Sequence, residues 1–191
     1  MGRFDEVEAR EVAFKSFKFS YDREKGYVGY KAGGDEFVMN CSEFDKLLLL
    51  FRDGRYKVIE LPEKLFVGPD LLFCTIPERD RVMTLAYSTK EATYLKRFTF
   101  GGTILNKDYE CIPEKAKIIF FEPDTPEQLY IRYKPAPYQK INQQTCKPAE
   151  LAVKNVKAKG NQMSIKEVAA INSKPPRNWD PNEPTTELHF A

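Results

Sequence analysis

The amino-acid sequence predicts an all-β domain whose hairpins are set radially, as blades are in a propeller. Three observations predict it. Period-two alternation recurs along the 191 residues, whereas only Phe4–Ala13 and Lys166–Ile171 offer a helical pattern. Hairpin-like units repeat in one order: an apolar strand, a turn, then a Tyr- or Ile-bearing strand ending in Lys or Arg. They recur at roughly 30–40 residues, a period at which arrays and propellers must be considered. An ordinary antiparallel domain whose hairpins merely look alike is the alternative, and the shared order favours a true repeat.

Phe4–Ala13 fits a short helix or a strand equally well. Phe17-Lys18-Phe19-Ser20-Tyr21 then alternates as a half-buried strand does, and Asp22–Gly26 turns the chain into Tyr27-Val28-Gly29-Tyr30. Glu36–Cys41 leads to the clearest hairpin. There Leu47-Leu48-Leu49-Leu50-Phe51 is continuously apolar, as a strand buried on both faces is. Asp53-Gly54 is read as a two-residue turn, and Arg55–Leu61 leaves with cations on alternate positions. Glu63–Asp70 is a connector. A second copy runs in through Val82–Tyr87 and out through Ala92–Phe98. A third pairs Ala116–Phe121 with Gln128–Tyr133, and a less regular fourth pairs Glu150–Val153 with Gln162–Val168. Beyond Ser173 the chain is proline-dense and aperiodic, so residues 1–172 form the body and 173–191 a flexible tail or extended strap. Trp179, the sole tryptophan, is either a docked anchor of that segment or a solvated residue in it.

Composition narrows the function. Charged residues make up 30% and hydrophobic residues 42%, and Phe and Tyr dominate an aromatic share of 13%. No apolar run approaches the ~20 residues that span a bilayer, and the charged N-terminus lacks a signal core, so a cytoplasmic location is expected. A net charge of +2 permits nucleic-acid binding without arguing for it, because a binding face needs local charge. Cys41, Cys74, Cys111 and Cys146 show no Cys-x-x-Cys spacing and are expected to be reduced structural thiols. The only histidine, His189, has no second ligand spaced for it, so neither a triad nor a metal site is expected. Gly33-Gly34 and Gly101-Gly102 read as turns rather than phosphate loops. No catalytic residue and no cofactor is expected in the chain.

Several short motifs, in order, carry a resemblance. Lys25-Gly26-Tyr27-Val28-Gly29-Tyr30, Asp35-Glu36-Phe37-Val38, Phe51-Arg52-Asp53-Gly54-Arg55-Tyr56-Lys57-Val58 and Glu63-Lys64-Leu65-Phe66-Val67-Gly68 resemble consecutive elements of the C-terminal domain of the topoisomerase IV A subunit. Tyr94-Leu95-Lys96-Arg97-Phe98, Lys107-Asp108-Tyr109-Glu110, Lys134-Pro135-Ala136-Pro137 and Ala149-Glu150-Leu151-Ala152-Val153-Lys154 continue the match, which covers about residues 3 to 170. The resemblance, shared with DNA gyrase A subunits, implies a β-pinwheel: a propeller-like ring, closed or open, of about four four-stranded blades whose basic perimeter bends DNA. It also implies a monomeric fragment of a larger bacterial subunit. The catalytic tyrosine would lie N-terminal to Met1, and the breakage-reunion region and the ATPase B subunit would be partners beside double-stranded DNA. Lys154-Asn155-Val156-Lys157-Ala158-Lys159-Gly160 keeps cations and one glycine of the gyrase Gln-Arg-Arg-Gly-Gly-Lys-Gly box but not its pattern, and it is placed in the last repeat. That departure points to relaxation and decatenation.

The candidate DNA contacts follow from charge and this resemblance together. Lys134, Lys140, Lys154, Lys157, Lys159 and Lys166 cluster where Glu150 is the only acid before Glu167. Arg52, Arg55, Lys57, Lys64, Lys96, Arg97, Lys107 and Arg132 recur on outgoing strands and nearby loops. Asp35, Glu36, Glu60 and Glu63 should weaken the first part of the rim. No base-reading helix is predicted, so recognition should be of backbone and shape. The rival is a propeller-like scaffold that binds proteins, for which these cations are merely solvated.

Overall fold

The computed structural model describes residues 16–190, so the Phe4–Ala13 segment lies outside the described residues. In chain order the first strands are β1 (Ser16–Asp22), β2 (Tyr27–Gly29), β3 (Glu36–Ser42), β4 (Lys46–Phe51), β5 (Arg55–Glu60) and β6 (Leu65–Phe66). Then come β7 (Leu71–Thr75), β8 (Met83–Ser88), β9 (Thr93–Thr99), β10 (Tyr109–Glu110), β11 (Lys117–Glu122) and β12 (Leu129–Tyr133). The last are β13 (Gln143–Cys146), β14 (Val153–Asn155), β15 (Asn161–Ser164), β16 (Val168–Asn172) and β17 (Thr185–Leu188). One 3-10 turn, Pro148–Glu150, interrupts them.

Among the described residues four sheets result, here called blades A to D, with orders β3-β1-β2-β6, β10-β5-β4-β7, β11-β8-β9-β14 (β15 also on β9) and β16-β12-β13-β17. Each follows one rule. A hairpin forms the centre, the next strand of the same module flanks its first strand, and the outer strand on its second arrives late. β6, β10 and β14/β15 reach blades A, B and C only after the chain has made the hairpin of the next blade. Among the described residues no further hairpin follows blade D, and β17 fills its outer place, parallel to β13. Late strands need a close backbone approach. Gly29 allows one: its φ is 140° and a Cβ there would overlap the Glu63 carbonyl oxygen, just before β6.

The described chain divides into two compact units. Residues up to 77 with 103–109 form the first, and 78–102 with the residues from 110 onward form the second. In the first, Phe19, Tyr21, Val28 and Cys41 of blade A pack with Leu47, Leu49, Ile59 and Leu71 of blade B. Arg23 ties these blades together: it grips both Glu36 oxygens at 2.9 Å and donates to the carbonyls of Pro69 and Leu71. In the second unit Ala86 and Leu95 of blade C share a core with Leu129, Ile131, Cys146 and Ile171.

Several sequence readings need correction. The β4–β5 connection is three residues, with positive φ at Gly54 alone, so Leu50 faces Tyr56 and the loop is 52–54. Ala116–Phe121 and Gln128–Tyr133 do not pair with each other: β11 joins β8, and β12 opens blade D with β13. The fourth copy dissolves likewise, because β14 and β15 both lie on β9 while β16 lies on β12. The helical pattern near Lys166–Ile171 is strand β16. The Glu63–Asp70 connector contains a true strand, β6. The mispaired copies and the missed β6 share one cause: a late outer strand interrupts each module, so neighbours in sequence need not be partners in a sheet.

The four cysteines are buried and stand outside any disulfide among the described residues. Burial raises the thiols of Cys41 and Cys74, and pushes Cys146 up to about 12. A disulfide reagent such as Ellman's is therefore expected to label none of them in the native chain and all of them in denaturant; fast labelling of the native form would contradict the fold.

Candidate functional site

The late strands bring chemistry with them. In blade A, Lys64 comes back just ahead of β6 and its ammonium stands 4.6 Å from the centre of the Tyr27 ring, at the start of β2. In blade B, Lys107 comes back ahead of β10 and lies 5.2 Å from Tyr109, which itself stacks on Tyr56 at the start of β5. In blade C, Lys159 comes back ahead of β15 and lies 4.9 Å from Tyr94, at the start of β9, which stacks on Tyr87. Blade D repeats the contact by another route, with Lys166 5.1 Å over Tyr133 at the end of β12. Tyr27, Tyr94 and Tyr133 adjoin their hairpin turns directly and Tyr109 through its stack on Tyr56, so every blade presents a lysine on an aromatic face at its hairpin end.

An aromatic face holds an ammonium by its quadrupole without neutralising it, for about 0.5–1 kcal/mol at exposed sites. In blades A, B and C the cation is exposed and stays available to an anion, whereas Lys166 of blade D is half-buried. Arg55 and Lys134 differ in this respect: Arg55 pairs with Asp53 at 2.7 Å and Lys134 with Glu167 at 2.6 Å. Glu36 and Glu63 do take up cations of blade A, pairing with Arg23 and Lys31.

Within the second unit, a groove of about 490 Å³ runs between blades C and D. Lys90, Lys117, Lys134 and Lys166 line it with the polar side chains of Ser88, Thr89 and Thr93; the carboxylates are Glu91 and Glu167. Lys90 sits in the β8–β9 turn and Lys117 opens β11 opposite Ser88; both are exposed. Neither stood out from the sequence. The available signal for Lys90 was its hairpin-turn place, equivalent to that of Arg52.

The other sequence candidates divide into exposed and committed cations. Arg52, Lys64, Lys107, Lys140, Lys157 and Lys159 are exposed, and Lys57 is half-buried on β5. Lys96 must be withdrawn: it is 2% exposed, and its Nζ donates to the carbonyls of Cys111, Val156 (2.8 Å) and Ala158 (3.3 Å). It points inward because its place on β9 faces the core beneath the incoming outer strand. Arg97 donates to the carbonyls of Ala149 and Leu151, and Arg132 to the Asn178 carbonyl and the Gln143 side chain. Lys154 is held by the Lys159 carbonyl and Asn161, and Lys166 by the Ile141 carbonyl. These four are half-buried braces. The Lys154–Gly160 segment belongs to blade C rather than to the last blade, with Gly160 donating its N–H to the Tyr87 hydroxyl at 3.0 Å.

Among the described residues, Glu150, Glu187 and His189 form a group that could hold a metal, their ligand atoms lying within 4.8 Å of one another. All three are exposed. The imidazole faces Glu150 through Nδ1 (3.2 Å) and Glu187 through Nε2 (4.0 Å). Spacing along the chain could not reveal Glu150, which tertiary structure delivers.

No helix among the described residues is long and apolar enough to cross a membrane. In fold, the chain is similar to a crystal structure of the C-terminal domain of DNA topoisomerase IV, with a TM-score of 0.59 at 12% identity over 84% of this chain and 61% of that one. The four sheets are accordingly the blades of a β-pinwheel. In sequence, it is 25% identical over 118 residues to the A subunit of DNA topoisomerase 4 from Borreliella burgdorferi, a stretch covering 59% of this chain and 19% of that protein. The chain thus matches about a fifth of that relative's length. The profile of the topoisomerase C-terminal domain of Bacteroidota matches residues 18–175, nearly all of the described residues, and the chain belongs to that family.

Proposed function

We propose that the chain is a non-catalytic DNA-binding and DNA-bending module of a type IIA topoisomerase A subunit, guiding a duplex segment for relaxation or decatenation. The observation that carries this reading is the recurrence of a lysine on an aromatic face at the hairpin end of every blade. A protein that reads only backbone needs such positive points, held in place and not cancelled by carboxylates. Bending a short site through a right angle costs on the order of 1–6 kcal/mol, which added phosphate contacts offset. The departure of Lys154–Gly160 from the gyrase box favours topoisomerase IV-like work over supercoiling. The partners of this reading are double-stranded DNA, the ATPase B subunit, and the breakage-reunion region that would precede this domain. Its place is the bacterial nucleoid in the cytoplasm.

A gel-shift titration at rising salt tests it. Affinity is expected to fall on a log–log plot with a slope of about −0.9 per contacted phosphate. Replacing Lys64, Lys107 and Lys159 together by Glu should flatten that slope by about 2.7. Binding that ignores salt, or is untouched by the triple variant, would favour the protein-binding scaffold, a reading the exposed Phe44 and Val38 of blade A support.

A further inference from the structure

The loop joining β12 to β13 spans residues 134–142 and is the longest of the four hairpin connections, the others being 23–26, 52–54 and 89–92. In its middle Tyr138 is wholly exposed (102%) and holds φ at 63°, a left-handed conformation that side-chain-bearing residues rarely adopt. Burial does not explain the ring, and chain flexibility does not explain the φ, because the loop is braced. Gln139 donates from Nε2 to the Lys134 carbonyl (3.0 Å) and to Asn142 Oδ1 (2.6 Å), and its N–H donates to the Ala136 carbonyl. Pro135 and Pro137 stiffen the ascending arm. The result is an aromatic ring held out into solvent.

Two further facts indicate what meets it. Between Glu127 and Glu150 the chain carries no carboxylate, while Lys134 and Lys140 flank the tip. The loop also rises from the groove between blades C and D: Lys134 lines that groove, and the groove residue Lys166 donates to the Ile141 carbonyl at 3.1 Å. A polyanion seated on Lys90 and Lys117 therefore lies beside the foot of this loop. Proteins that bend DNA insert apolar side chains at base steps, and an exposed ring on a cationic, pre-formed loop has that chemistry.

We propose that Tyr138 is a wedge that enters the minor groove of a duplex and stacks at a base step, with the flanking phosphates held in the Lys90–Lys117 groove. This rests on the DNA-binding reading above and adds to it a contact that is not ionic. The four groove lysines, Lys90, Lys117, Lys134 and Lys166, outnumber its two carboxylates, Glu91 and Glu167, and with Lys140 beside the tip they favour DNA over a protein as the occupant.

The test uses the whole 191-residue chain and a duplex of about 40 base pairs, dye-labelled at both ends, so that anisotropy reports affinity and energy transfer reports bending. Tyr138→Gly suits the left-handed φ and keeps the loop foldable, and Tyr138→Phe keeps the ring. The glycine variant is expected to bind about tenfold more weakly and to bend less, with an unchanged salt slope, while the phenylalanine variant matches the parent. A parent that binds and bends the duplex but is matched by Tyr138→Gly overturns the wedge and leaves the phosphate contacts standing. A phenylalanine variant as weak as the glycine one also overturns it, by assigning the effect to the hydroxyl. A parent that does not bind the duplex at low salt overturns both readings.

Discussion

A chain carrying Lys96→Met is expected to melt on the order of 10 °C below the parent, as read by far-UV circular dichroism. Methionine fills the same volume among Tyr87, Phe98 and the incoming outer strand of blade C, so no cavity enters the comparison. What changes is that the carbonyls of Cys111, Val156 and Ala158 lose their donor. Each buried, unsatisfied carbonyl costs about 1–3 kcal/mol, and the three together should cost about 3–5 kcal/mol. Replacing a buried ion pair by apolar residues is often neutral, but only when both partners go; here the acceptors remain. Burial, with a smaller push from Lys154, holds this amine down to about 8 against an ordinary 10.5. At neutral pH it therefore stays charged and offers three N–H groups to three carbonyls. Between about pH 8 and 10.5 the unfolded chain holds a proton that the folded amine has released, so stability from this residue rises with pH in that window. The gap between parent and variant should be flat below pH 8 and widen above it. An unchanged melting temperature at pH 7 would contradict the three-carbonyl brace.

Ending the chain after Ser173 is expected to destabilise blade D on the order of 5 kcal/mol, seen as a lower urea midpoint and faster amide exchange in β12 and β13. The removed segment supplies β17, whose residues Thr185 to Leu188 pair with Gln143 to Cys146. It also satisfies Gln143, a fully buried amide whose Nε2 donates to the Asp180 carbonyl (2.6 Å) and to Thr185 Oγ1 (2.9 Å). Arg132 would lose the Asn178 carbonyl, and Tyr130 would lose the edge-to-face contact with Trp179 at 5.2 Å. Leu188 and Phe190 leave the core of the second unit at the same time. An unchanged midpoint, with β13 protected as before, would show that the outer strand is dispensable.

These two cases mark where sequence reading ends. Lys96 and Lys159 are both lysines beside Tyr94, one two residues along β9 and one on a returning segment. Alternation along β9 places one side chain in and the next out only if both faces of the strand are known. The outer strand that covers Lys96 comes from residues 153–164, far along the chain. Composition therefore counted the two as equal. Geometry makes one a core brace and the other a surface cation. The sequence leaves Trp179 balanced between docked and solvated for the same reason: the ring it meets, Tyr130, lies on a strand that no local pattern connects to it.

What the residues determined alone was the all-β class, the central hairpins at Leu47–Leu61 and Val82–Phe98 and the buried thiols. Those follow from side-chain period, turn chemistry and apolar content, which act over a few neighbouring residues. Tertiary structure alone decided which strand completes each sheet, and hence which lysine rests on which ring. That choice is a pairing between segments tens of residues apart, set by edge hydrogen bonds and the apolar faces they cover, and a hairpin's own sequence carries no mark of the strand that will later close it.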